Sequence, residues 1–94
     1  MQAIDKLALM PAKRLENRVP ALRNKGRVRV GADADLVLFN PDTVIDRATY
    51  AQPDLPSEGI PHVLVGGVFV VRDGVFQSGV KPGRAVRAPM REVP

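Results

Sequence analysis

Three runs of this chain are apolar without alternation: residues 36–39 (LVLF), 63–65 (VLV) and 68–71 (VFVV). A strand with one wet face alternates apolar and polar side chains. A run that does not alternate belongs where both faces of a sheet are covered. The chain has 94 residues, room for one small domain. A domain of that size hides only about 60–65% of the surface its unfolded chain exposes. Its helical content is confined to one short stretch, so covering three such strands on both sides exceeds its means. The sequence reads as part of something larger.

The turns between these runs are strongly marked. Gly66-Gly67 separates residues 62–65 from residues 68–71. Two apolar runs joined by a pair that tolerates positive φ predict a hairpin. Asp73-Gly74 predicts a second tight turn, with a short strand returning over residues 75–77. Residues 62–65, 68–71 and 75–77 are therefore expected as an antiparallel meander. Val28 and Val30 alternate with Arg27 and Arg29 and predict a further strand, and residues 35–39 another, both in the same sheet system. Residues 41–61 hold four prolines and a glycine and predict a long irregular loop, with one helical turn at residues 46–50.

At the N-terminus, Ile4, Leu7 and Ala8 fall on one helical face. Pro11 is unwelcome inside a helix but suits the first turn of a new one. The spacing predicts helices over residues 3–9 and 11–17, broken at Met10. The fold class expected is mainly β: a small sandwich-like sheet domain with one or two short N-terminal helices. Residues 1–18 form the helical segment, 19–85 the sheet domain and 86–94 a tail.

The chain carries no cysteine, so neither a disulfide nor a thiolate metal site supplements the core. With no secretory leader and no apolar run near the ~20 residues of a membrane span, a soluble cytoplasmic protein is expected. The net charge of +4 is basic at both ends around an acidic middle. Residues 1–40 have eight Lys/Arg against four Asp/Glu, residues 41–79 two against five, and residues 80–94 four against one. A nucleic-acid domain more often interleaves one basic face with aromatics. Here three of the four aromatics, Phe39, Phe69 and Phe76, lie in strand patterns, so nucleic acid is not the expected partner.

Each group that might carry chemistry has a simpler role. Asp33 and Asp35 lack a nearby third ligand or base and suit turn chemistry. His62 is the single histidine, with only Asp54 and Glu58 close by in sequence, which suits a partly exposed strand residue better than a metal ligand. Ser57 and Ser78 lack the base and orienting acid of a nucleophile. The glycines match no phosphate-binding loop. The tail cations Lys81, Arg84, Arg87 and Arg91 read as solvated. No catalytic, cofactor-binding or metal-binding residue is assigned.

Residues 25–39, KGRVRVGADADLVLF, resemble the segment that follows the barrel in the amidohydrolase superfamily. The continuation is narrower. NPDTVIDRATY (40–50), SEGIPHVLVGG (57–67), VVRDG (70–74), PGR (82–84) and MPAKRLE (10–16) are similar to N-acyl-D-amino-acid deacylases, the D-aminoacylases. Two positions depart from that family: Gly66-Gly67 where Asn-Gly is common, and Ala8 where a threonine often caps the second helix. A lost cap of that kind typically costs ~1 kcal/mol, so fraying is expected there.

The resemblance implies a non-catalytic C-terminal segment. In that family a barrel carries the zinc ligands and catalytic aspartate, and the C-terminal segment completes a small β-sandwich with N-terminal strands of the same chain. No family site residue maps onto residues 1–94. The expected partners are that barrel and those strands, with self-association when the chain stands alone. The alternative is a free-standing basic β-protein that binds nucleic acid or an acidic protein.

Overall fold

The computed structural model of the chain describes residues 1–90. They fall into two compact units: Met1–Ala34 with the segment from Gly83 onward, and Asp35–Pro82.

The first unit is helical. Helices α1 (Gln2–Leu7) and α2 (Leu9–Leu15) meet at Ala8, whose φ of −122° and ψ of −69° leave the helical region. The break comes two residues before the expected Met10. Pro11 accounts for the shift, because its ring strikes the carbonyl four residues back, at Leu7. Pro11 then lies in the first turn of α2, where its missing N–H is not needed. No side chain caps α2 at Ala8, as its methyl group dictates.

A 3-10 turn over Pro20–Asn24 brings the chain back onto this break. Gly26, at φ +69°, seats there: a Cβ would stand 2.5 Å from the Ala8 carbonyl oxygen and 3.1 Å from the Ala12 Cβ. Ala12 is the one buried hydrophobic residue among those described. Arg27 fastens the turn. Its Nε donates to the Lys25 carbonyl at 2.9 Å, and its Nη2 to the Glu16 carboxylate at 2.8 Å and the Leu22 carbonyl at 3.3 Å.

The strand expected over residues 28–30 does not form, and Val28 and Val30 stand in solvent. Arg29 curls back to the Arg23 carbonyl at 2.9 Å, and the Ala32 N–H closes a turn onto the Arg29 carbonyl at 3.1 Å. An alternating sequence becomes a strand only when a partner takes its ladder hydrogen bonds, and the described sheet pairs its four strands only with one another.

The second unit is a four-stranded antiparallel sheet in the order β1-β2-β3-β4, a meander as expected. Its strands are β1 (Leu36–Leu38), β2 (His62–Val65), β3 (Val68–Arg72) and β4 (Val75–Phe76). Gly66 and Gly67 have φ of +57° and +80°, and Asp73 and Gly74 +51° and +76°. Positive φ at both central residues is the requirement of a type I′ hairpin turn, met by both pairs. Val63 pairs with Val71 but Leu64 with Phe69, so Val70 is the extra residue of a bulge.

The helical turn expected at residues 46–50 is absent. The Asp46 and Thr49 side chains accept from the Ala48 and Gln52 N–H groups, both at 2.9 Å, closing side-chain turns that compete with helix. The loop is pinned by a two-way bridge between Ile45 and Glu58, both hydrogen bonds 3.0 Å.

Gly26 and Gly74 make a matched test of the first unit. Both have positive φ, but nothing lies within 4 Å of a Cβ at Gly74. Gly74→Ala is expected to cost about 1 kcal/mol, the strain of left-handed backbone alone. Gly26→Ala adds a steric clash worth a further ~1–3 kcal/mol. Far-UV circular dichroism is expected to show helical signal lost in Gly26→Ala and kept in Gly74→Ala.

Candidate functional site

Of the side chains that sequence singles out, Asp33, Asp35 and His62 each make a polar contact within their own unit. Asp33 pairs with Lys25 at 3.0 Å in the first unit. In the second, the Asp35 carboxylate accepts the Gly66 N–H at 2.8 Å, so it ties the start of β1 to the turn between β2 and β3. That N–H belongs to the tight turn itself, and an ionised acceptor makes the bond one of the stronger kind.

His62 opens β2 and pairs with Leu38 of β1. Its Nδ1 accepts the Asp73 N–H at 3.3 Å, which places the ring proton on Nε2, 3.7 Å from the Asp73 carboxylate. The ring packs edge-on against Phe69 at 5.8 Å between centroids, and the Arg72 guanidinium lies 5.1 Å from the centre of the same Phe69 ring. This cluster escaped the sequence reading. In a regular strand Phe69 and Arg72, three residues apart, point to opposite faces. The bulge at Val70 brings them to one face, and no turn residue or break in hydrophobicity marks it.

Ser57 and Glu58 line an open hollow of about 460 Å³ together with Asn40, Thr43, Asp73 and Gly74. The Glu58 carboxylate in it is engaged by Arg47 at 3.0 Å. An open hollow leaves reacting groups in water, where oriented charges are worth least. Ser78 follows β4 in a turn. Lys81, Arg84 and Arg87 are exposed on a stretch without regular secondary structure, and Arg91 lies outside the described residues.

Among the described residues, no three His, Asp or Glu side chains gather closely enough to hold a metal ion. No described helix is long and apolar enough to cross a membrane.

Three curated proteins of Alcaligenes xylosoxydans xylosoxydans are similar to this chain. An N-acyl-D-glutamate deacylase is 45% identical over 85 residues, covering 90% of this chain and 16% of that protein. An N-acyl-D-aspartate deacylase is 42% identical over 73 residues, 78% of this chain and 14% of its own length. A D-aminoacylase is 38% identical over 65 residues, 69% of this chain and 13% of its own length. The chain is thus homologous to one segment of these deacylases and spans about a sixth or less of their length. No family model matches it, and no solved structure does.

The structural role of Asp35 is open to a direct check. Asp35→Ala is expected to speed amide exchange at Gly66 about tenfold or more, the equivalent of one charge-assisted hydrogen bond of about 1.5 kcal/mol or more. Asp35→Asn, which keeps an acceptor oxygen, is expected to change it much less. Equal rates in all three proteins would contradict the tie between β1 and the hairpin turn.

Proposed function

We propose that this chain, homologous to a segment of the D-aminoacylases, is a non-catalytic structural segment of a zinc-dependent N-acyl-D-amino-acid deacylase. The observation that carries the reading is the 45% identity over 90% of the chain, set against 16% of the relative's length. The match is dense and covers a small part of the relative, and no three His, Asp or Glu side chains cluster among the described residues.

Amide hydrolysis by such an enzyme takes a metal-activated water, a base and a stabiliser for the tetrahedral oxyanion. Here the carboxylates of Glu16, Asp33, Asp35 and Glu58, four of those described, are hydrogen-bonded or ion-paired within the fold. The one histidine is engaged by Asp73 and Phe69. In the proposed enzyme, zinc and the catalytic groups belong to the barrel outside these residues. The present chain is its C-terminal part and supplies strands to a β-sandwich beside the barrel. The partner is the rest of that polypeptide, and the compartment is the cytoplasm.

The test is the purified chain itself, dialysed against zinc and assayed on N-acetyl-D-glutamate, N-acetyl-D-aspartate and a neutral N-acetyl-D-amino acid. No turnover above buffer and no stoichiometric zinc by elemental analysis are expected. One zinc retained per chain, or turnover lost on His62→Ala, would overturn the reading.

A further inference from the structure

The two faces of the sheet differ in chemistry. Side chains of paired residues point to the same side, and successive residues alternate except across the bulge. The register Leu38↔His62, Leu36↔Leu64, Leu64↔Phe69 and Arg72↔Val75 collects one face. On it Phe69 is flanked by the His62 ring and the Arg72 guanidinium, so polar groups stand over its apolar centre. The register Val37↔Val63, Val63↔Val71, Val65↔Val68 and Val71↔Phe76 collects the other. That face is five valines and a phenylalanine across all four strands, with no polar side chain at any paired position.

The second face is also open. Val37 is 57% exposed, Val68 43% and Phe76 71%, and Val63, Val65 and Val71 are each partly exposed. Together the six side chains leave on the order of 400 Å² of apolar surface in water, within the ~300–600 Å² of the largest patch on a typical soluble monomer, which is often functional.

We propose that this valine face is a self-association surface, and that its occupant in the isolated chain is the same face of a second copy. A two-fold face-to-face contact presents each patch to itself, and a face of near-uniform valine is self-complementary in size and polarity. The pair removes about 800 Å² from water. That is short of the ~1,200 Å² at which specific, stable interfaces begin and within the range of weak, transient ones. The dimer is accordingly weak and reversible, and it draws on the sheet's geometry alone, independent of the catalytic assignment.

Each edge strand supplies an internal control, because neighbouring residues of similar exposure point to opposite faces. Phe76 and Val75, 71% and 62% exposed, are such a pair on β4. Val37 and Leu38, 57% and 48% exposed, are another on β1. Sedimentation velocity from micromolar to about 1 mM is expected to show reversible dimerisation of the unaltered chain. Phe76→Lys and Val37→Lys are expected to raise the dissociation constant at least tenfold, while Val75→Lys and Leu38→Lys leave it within about twofold. Amide spectra that keep the β2–β3 pairing show that the sheet survives each change. A chain that stays monomeric at 1 mM overturns the proposal. Equal effects on both faces, as edge-to-edge pairing or unspecific adhesion would give, overturn it too. So does greater sensitivity at Val75 and Leu38.

Discussion

The β2–β3 hairpin is the element on which the rest of the sheet depends. Its turn closes because Gly66 and Gly67 both take positive φ without a Cβ penalty. Everything else attaches to it. β1 pairs along β2 and is held at its start by the Asp35 carboxylate on the Gly66 N–H. β4 pairs along β3 through the second turn, whose Asp73 N–H is taken by His62 of β2. Local turn chemistry thus sets the register of all four strands. The long loop from β1 to β2 only has to return to the sheet, which its Ile45–Glu58 bridge and the Asn40 N–H to Gly59 carbonyl bond achieve.

Hydrogen bonds of this kind fix geometry but contribute little net free energy, about 0.5–1.5 kcal/mol each. Burial of apolar surface normally supplies the balance against chain entropy. This chain has little of it: among the described residues only Ala12 is a buried hydrophobic, and strand residues as large as Phe76 stand mostly in water. Registered turns with almost no core leave most of the sheet's apolar side chains in contact with water.

Much of the fold was legible in the sequence, where the determinants are local. Gly66-Gly67 and Asp73-Gly74 announced the meander because turn conformation is a property of two residues. Pro11 announced a helix break, although its ring acts on Leu7, so the break falls at Ala8 rather than Met10. What failed depended on a neighbour. Val28 and Val30 have a strand pattern, but a strand exists only by pairing, and Arg27 and Arg29 turn back to nearer carbonyls. At residues 46–50, Asp46 and Thr49 bond their own backbone in place of a helical turn. The bulge at Val70, which separates an apolar face from one carrying His62 and Arg72, leaves no trace in the order of residues.

The described residues bury too little apolar surface to hold a stable core alone. Equilibrium urea unfolding of the chain at low micromolar concentration, below self-association, tests it most directly. A broad transition and an unfolding free energy of no more than about 2 kcal/mol are expected, against the ~5–15 kcal/mol of an ordinary domain. A sharp two-state transition above about 5 kcal/mol in the monomer would contradict it.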